Sequence, residues 1–352
     1  MNQRIKAGIA LSGGIDSTVA AILMQEKGYD VHGFFMQLPL PDLQKQTRLA
    51  ARRARQLDIP LHLVDLREQF HRHVITYLLT TYNQGLTPNP CVICNKKIKG
   101  NLLLDAMHRQ GMELCATGHY AILKRSGSKP VLARARDTTK DQSYFLCRLP
   151  PKQLACLVFP LGHWLKRDVY QKAAQTGFDF PEKESQDVCF LNGDLRSFLQ
   201  EYGCLEKPGS IIGPAGQRLG THKGVAHYTI GQRKGLGLPD ATPWYVTGID
   251  IHSNQVKVGK ESELFTRSLS LSSLHWFARP ASFPWEGKIQ LRSTHKPAWA
   301  QLDIREKNKV VVTFKKAQRA ITPGQFAAFY EKDTLIGSGI IEAGTSRALH
   351  TQ

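Results

Sequence analysis

Short apolar runs alternate with amphipathic stretches over the first 120 residues. "IKAGIAL" (5–11) predicts a buried strand, "DSTVAAILMQEKG" (16–28) a helix closing on Gly28, and "DVHGFFM" (30–36) a second strand. An Arg- and Ala-rich helix is predicted over about 45–57, then the strand "LHLVDL" (61–66), helices over about 68–83 and 95–109, and the strand "ELCAT" (113–117). This order implies an α/β fold with a parallel sheet covered on both faces, its ligands at the C-terminal strand ends. From about 205 the texture changes to Gly and Pro punctuation between short β-like runs: "KPGSIIGPAGQRLG", "HYTIGQRKGLGLPD" and "PWYVTGIDIHSNQVKVG". Beyond "LHWFARPASFPW" the alternation in "KIQLRST", "AQLDIRE", "KVVVTF", "QFAAFY" and "TLIGSGIIE" predicts an antiparallel sheet or barrel. Boundaries near 204 and 270 give a catalytic α/β domain (1–204), a small central β-rich domain (205–270) and a C-terminal β-barrel (271–352).

A chain of 352 residues exceeds one ordinary core and suits two or three domains. Its 41% hydrophobic and 22% charged residues exclude a mostly disordered chain. The N-terminus lacks an apolar targeting segment and no uncharged run is long enough to span a bilayer, so a cytoplasmic protein without a membrane partner is expected. Seven cysteines (91, 94, 115, 147, 156, 189, 204) are then core residues or working thiols rather than a disulfide scaffold. Forty-seven Lys and Arg against 29 Asp and Glu leave a net charge of +18, which favours a polyanionic partner such as nucleic acid.

"ALSGGIDSTVA" (10–20) joins the first strand to the first helix. Gly13 and Gly14 let backbone N–H groups approach an anion, Ser12 and Ser17 add hydroxyl donors, and the helix N-terminus adds positive dipole. A phosphate is the natural occupant, yet the string is neither G-x-x-x-x-G-K-[ST] nor G-x-G-x-x-G. A carboxylate here, Asp16, calls for a cation such as Mg²⁺ to bridge it to the anion. A plain strand-to-helix turn with Asp16 as cap needs far less than this hydroxyl–Gly–Gly–x–Asp–Ser order.

Ser12-Gly13-Gly14-Ile15-Asp16-Ser17 resembles the S-G-G-x-D-S pyrophosphatase loop of ATP enzymes that adenylate a carbonyl or amide oxygen. "TPNPCVICNKKIKG" (87–100), "ATGHY" (116–120), "KDQSYFL" (140–146), "SQDVCF" (185–190), "GQRKGLG" (231–237), "PWYV" (243–246) and "TPGQ" (322–325) are together similar to the tRNA-uridine 2-sulfurtransferase family. The resemblance runs in order from residue 6 to about 342. It implies an N-terminal Rossmann-like PP-loop domain, related to the adenine nucleotide alpha hydrolases, then the β-rich domain and barrel. The implied activity is ATP-dependent conversion of the tRNA wobble uridine to 2-thiouridine, with Mg²⁺, a persulfide donor (a sulfur-relay protein or a cysteine desulfurase) and a monomeric enzyme. By motif, Cys189 carries the persulfide and Cys94 is its redox partner. ATP contacts carry over onto Ala10, Leu11, Ser12, Gly13, Gly14, Ile15, Asp16, Ser17, Met36 and Gly118. The tRNA and target-base side carries over onto Asn89, Pro90, Cys91, His119, Lys140, Asp141, Gln142, His295, Lys296 and Gln325, with Arg233 and Lys234 suited to phosphate. Lys96, Lys97 and Lys99, with a helix beginning near Asn95, are expected to lower the pKa of Cys94.

Three departures stand out. Many relatives have aspartate where this chain has Cys91, which leaves three readings: Cys91, Cys94 and Cys189 hold an iron–sulfur cluster with one open iron site, Cys91 is a resolving thiol, or Cys91 is a tolerated small residue. A closed zinc site is disfavoured, since no second C-x-x-C exists. "QLPLPDLQKQTRLA" (37–50) is short and weakly acidic for this loop, and Gly100 replaces an aromatic, read as a packing change. The rivals are a 2-thiocytidine synthetase, which predicts another cysteine layout and no β-rich C-terminal half, and an RNA-binding protein with a relic nucleotide fold.

Overall fold

The computed structural model describes residues 4–126, 129–180, 189–191, 194–204, 207–305 and 310–343. The chain divides into two compact units, one of residues 1–74, 91–192 and 333–335, the other of residues 75–90, 193–332 and 336–352.

The first unit is built on a five-stranded parallel sheet, order β3-β2-β1-β4-β7. Its strands are β1 (Lys6–Ala10), β2 (Asp30–Gln37), β3 (Leu61–Asp65), β4 (Leu114–Ala116) and β7 (Leu157–Val158). Helix α1 (Ile15–Glu26) is buried on nearly every face, from Val19 and Ala20 to Met24, because it carries apolar residues well beyond a single stripe. Helix α2 (Leu43–Gln56) is the opposite case, burying only Ala50, Arg53 and Ala54. The predicted helix over 68–83 spans 67–83 (α3) and contains a π-turn at His71–Ile75. The hairpin of β5 (Ala121–Ser126) and β6 (Lys129–Arg134), absent from the sequence reading, follows the "ATGHY" motif directly.

The helix expected from residue 95 begins earlier, at Pro90, and runs to 109 (α4). Pro90 suits a first helical turn, where its missing N–H costs nothing. Its middle, Asn95–Leu103, is π-helical. Gly100 lies there against Leu149, and a Cβ on it would stand 2.5 Å from Leu149 Cδ2 and 2.6 Å from the Asn95 carbonyl oxygen. The glycine is therefore a packing requirement of this helix.

In the second unit β8 (Gly209–Ile212), β9 (Arg218–His222), β10 (Tyr245–Asp250) and β11 (Gln255–Gly259) form a four-stranded sheet around Ile211, Val246 and Val256. The "HYTIGQRKGLGLPD" run, read as β-like, forms turns instead, as its three glycines would favour. A closed six-stranded antiparallel barrel follows in the order β12-β15-β14-β13-β16-β17. Its strands are β12 (Phe265–Trp276), β13 (Trp285–Gln290), β14 (Ala298–Ile304), β15 (Val310–Arg319), β16 (Phe326–Glu331) and β17 (Thr334–Ile341), and β12 pairs with β17 at Leu271↔Ile341. Closure leaves no free edge. β12 runs through residue 270, where the composition alone suggested a boundary.

Alanine is the better helix former by about 1 kcal/mol, but the fixed Asn95 carbonyl leaves no room for its methyl. Gly100→Ala should thus destabilise the protein, by about 1–3 kcal/mol as overpacking does. A lower urea midpoint at unchanged slope is the expected result.

Candidate active site

The turn from β1 into α1 is arranged to hold an anion. Gly13 has φ +83°, which glycine adopts freely, and a Cβ there would stand 2.8 Å from Leu49 Cγ of α2. The 37–50 segment thus covers this loop. Ser17 Oγ donates to the Gly14 carbonyl (2.9 Å) and accepts from the Ser12 N–H (3.2 Å), while Ser12 Oγ lies 3.2 Å from it. These bonds fix the turn from within. No side chain caps α1 at Gly14, so its first amides remain available to a bound anion. Ala10 ends β1 and buried Leu11 follows it into the loop, Ile15 is buried, and Met36 is half-buried near the end of β2. Gly118 abuts the loop: a Cβ on it would lie 3.0 Å from Asp16 C and Ser17 N.

Asp16 has partners that the sequence reading did not find. Its Oδ1 accepts from Lys166 Nζ and from Tyr120 Oη, each at 2.7 Å. The Lys166 side chain is only 10% exposed and its ammonium lies over the Tyr120 and Tyr170 rings, at 5.6 and 5.3 Å. Lys166 starts α5 (Lys166–Gln175), 150 residues from Asp16, so no spacing signal pointed to it. The loop thus has a protein cation beside its carboxylate.

The "KDQS" motif, expected to face tRNA, is woven into this network. Gln142 accepts from the Tyr120 N–H through its side chain (2.9 Å) and donates its own N–H to the Tyr120 carbonyl (2.8 Å). Asp141 binds Arg134 Nε (2.8 Å), the Ala135 N–H (3.0 Å) and Ser143. Lys140 is half-buried. Gln142 therefore holds Tyr120 in position for Asp16, while Asp141 ties the turn before it to Arg134 and Ala135.

The thiols lie in the same unit. Cys91 and Cys94 sit one turn apart on α4, Cys94 buried and Cys91 half-buried, whereas Cys189 is exposed. Phe190, the next residue, packs edge-to-face on Phe70 with ring centroids 5.3 Å apart, which anchors Cys189. The rest of the "SQDVCF" motif, 185–188, lies outside the described residues. The expectation of a lowered Cys94 pKa is corrected: burial pushes the thiol up to about 12. Desolvation also raises Cys91 and Cys189, the latter although the residue's surface is exposed, because protein groups crowd its sulfur. Since α4 starts at Pro90, Cys94 is in its second turn rather than at its N-terminus, and of the expected lysines only Lys99 pulls the thiols down. The Lys99 charge acts on Cys91, Cys94 and Cys189 alike.

His119 links the two halves. It follows Gly118, is fully buried, shares a 2.7 Å hydrogen bond with Thr117 Oγ1, and is held neutral by burial and by the Lys99 charge. Phosphate loop, Gly118, His119, Lys99 and the three thiols are thereby connected through contacts and fields within one unit.

The remaining positions fall in the second unit or at its edge. Asn89 Nδ2 donates to Gln325 Oε1 (3.5 Å), and Gln325 Nε2 donates to the Thr87 and Pro88 carbonyls (3.0 Å each), so "TPGQ" holds the loop leading to Pro90. Both ring nitrogens of His295 are engaged: Nδ1 accepts from the Leu291 N–H (3.3 Å), and Nε2 donates to Gln318 Oε1 (2.9 Å). That imidazole shapes its own turn. Lys296, Arg233 and Lys234 are exposed.

Comparison with known proteins gives one answer along the chain. The tRNA methyl transferase HUP domain family matches residues 5–193, the tRNA methyl transferase PRC-barrel domain family residues 196–260, and the aminomethyltransferase beta-barrel domain family residues 266–341. The tRNA-specific 2-thiouridylase MnmA of Desulfotalea psychrophila is 45% identical over 338 residues, covering 95% of this chain and 98% of that protein. The tRNA-specific 2-thiouridylases MnmA of Trichlorobacter lovleyi and Syntrophotalea carbinolica are each 39% identical, over 96% and 95% of this chain and 98% and 97% of theirs. Similarity of this extent, carried through all three domains, makes the chain a member of the tRNA-specific 2-thiouridylase family, the tRNA-uridine 2-sulfurtransferases.

Proposed function

We propose that this chain 2-thiolates the wobble uridine of tRNA in two stages, adenylation and sulfur transfer, both in its N-terminal domain. A uracil C2 carbonyl has no leaving group, so ATP first transfers AMP to its oxygen and pyrophosphate departs. The loop amides at Gly13–Ser17 and the Lys166 ammonium would bear the charge that develops on pyrophosphate. The residues fit magnesium as well: Asp16 keeps Oδ2 for an ion while Oδ1 is held by Lys166 and Tyr120, and the ion would supply phosphate charge neutralisation.

The observation that carries the second stage is the contrast between an exposed Cys189 and a buried Cys94 under one cation, Lys99. A donor protein can reach Cys189 and leave a persulfide there. The terminal sulfur attacks C2, its bond to carbon forms as the C2–O–AMP bond breaks, and AMP leaves with that electron pair. The Cys94 thiolate then attacks Cys189 Sγ, expelling 2-thiouridine sulfur and closing a Cys94–Cys189 disulfide, which an external dithiol must reduce for the next turnover. Neutral His119 can donate or accept a hydrogen bond beside the reacting base. Cys91, half-buried one turn from Cys94, serves as a resolving thiol on this route. The same three thiols are also a donor set for an iron–sulfur cluster, so iron content is the discriminating measurement between the two readings. The flipped base costs little because anticodon loops are unpaired, and Arg233, Lys234 and Lys296 suit backbone phosphates. A cytoplasmic enzyme follows from the substrate; no helix among the described residues is long and apolar enough to cross a membrane.

Nucleoside mass spectrometry after anaerobic incubation with unmodified tRNA, ATP, Mg²⁺ and a persulfide donor should reveal 2-thiouridine. Cys94→Ser and Cys189→Ser should each abolish that peak while tRNA-stimulated pyrophosphate release continues; full turnover by either variant would refute the thiol assignment. Thiolation by iron-free protein supports the persulfide route, and strict dependence on bound iron refutes it. Lys166→Ala should slow pyrophosphate release by about 10²–10³-fold, the usual cost of one preorganised charge-stabilising group, and an unchanged rate would remove Lys166 from the phosphate site. Because Lys99 opposes the upward shift of all three thiols, Lys99→Gln should move their iodoacetamide alkylation profiles to higher pH, and a profile that stays in place would show that Lys99 does not tune them.

A further inference from the structure

Three side chains outside the sulfur-transfer site converge without any contiguous motif to announce them. His108 is near the end of α4, Cys115 is in the middle of β4, and Cys156 immediately precedes β7. Their ligand atoms, Nε2 and two Sγ, all lie within 4.8 Å of one another, the one such group among the described residues. Both thiols are free.

We propose that His108, Cys115 and Cys156 form a second site, a binding site for a thiophilic divalent cation, Zn²⁺. Bond lengths of roughly 2.0–2.3 Å put tetrahedral ligands roughly 3.6–3.8 Å apart, so closing the group by about 1 Å suffices. Cys115 Sγ and His108 Nε2 are already 4.0 Å apart.

The tautomer is the correct one. His108 Nδ1 lies 2.9 Å from the Met112 carbonyl oxygen, which can only accept, so Nδ1 carries the proton and Nε2 keeps its lone pair toward the thiols. A metal-bound histidine is ordinarily fixed by such a second hydrogen bond. The two cysteines are held by the sheet itself: the Cys115 N–H donates to the Cys156 carbonyl at 2.9 Å, next to the Cys115↔Leu157 pairing of β4 and β7. Burial grades outward from Cys115 through half-buried Cys156 to exposed His108. An ion therefore has a path from solvent and an open fourth position for water. Two thiolates and one imidazole favour zinc over magnesium or calcium.

The site has a structural consequence. It would clamp α4 and the β4–β7 edge, and β4 leads within two residues to Gly118 at the phosphate loop. Binding to the folded chain alone would raise its thermal midpoint with zinc concentration.

The test uses the full chain with Cys91, Cys94 and Cys189 replaced by Ser, so that only this cluster offers convergent thiols. Anaerobic titration of the reduced protein with Co²⁺ should show one ion bound per chain, with thiolate charge-transfer absorption and ligand-field bands of tetrahedral intensity. Zn²⁺ should bleach them stoichiometrically. His108→Ala and Cys156→Ser, at the exposed and half-buried positions of the group, should each weaken Zn²⁺ binding by more than the roughly 10–100-fold that loss of an outer-shell partner costs, and should abolish the zinc-dependent rise in thermal midpoint. Absence of charge-transfer absorption, or bands that persist in both variants, would overturn the site. A Cys115–Cys156 disulfide that forms in air despite excess Zn²⁺, read as two thiols lost to alkylation, would overturn it as well.

Discussion

An anion-binding turn that also carries a carboxylate must be neutralised, and the ion pair of Asp16 with Lys166 does this. Two charges, one of them nine-tenths buried, meet at 2.7 Å, and the Tyr120 hydroxyl completes the acceptor. Removing Asp16 would leave the Lys166 ammonium desolvated and without its carboxylate, which is destabilising. The surroundings follow from that constraint. α5 must start where Lys166 can reach the loop, and Asp137 fixes that start by accepting the Lys166 N–H at 2.9 Å. Tyr120 must be held, and Gln142 pairs with its backbone on both sides.

The thiols are organised by a second electrostatic arrangement, with the opposite bias. Burial favours the neutral thiol, so Cys94 waits protonated rather than primed. One cation, Lys99, acts on all three sulfurs and on His119, adding to the burial that keeps that imidazole neutral. A buried, protonated thiol such as Cys94 is protected from adventitious oxidation, which follows thiolate character and exposure.

Much of the first domain was legible along the chain because its signals are local. Apolar runs of strand length, Gly28 after α1 and the Ser-Gly-Gly-x-Asp-Ser turn all act within a few residues of themselves. So did the alternation that marked the barrel strands. The π-helical run at Asn95–Leu103, where Gly100 packs against Leu149, and the turns across 227–240 escaped that reading, the second because its opening His-Tyr-Thr-Ile has the composition of a strand.

The sequence by itself determined the strand and helix order and the anion-binding turn, since each is encoded in residues adjacent in the chain, whereas Cys94 and Cys189 stood out only through the family resemblance of their motifs. Only the tertiary structure decided which cation faces Asp16, which lysine governs the thiols, that "KDQS" braces Tyr120, and that His108, Cys115 and Cys156 meet. The reason is that charge and desolvation act through space. Asp16 and Lys166 are 150 residues apart in sequence and 2.7 Å apart in the fold, a relation that no window along the chain contains.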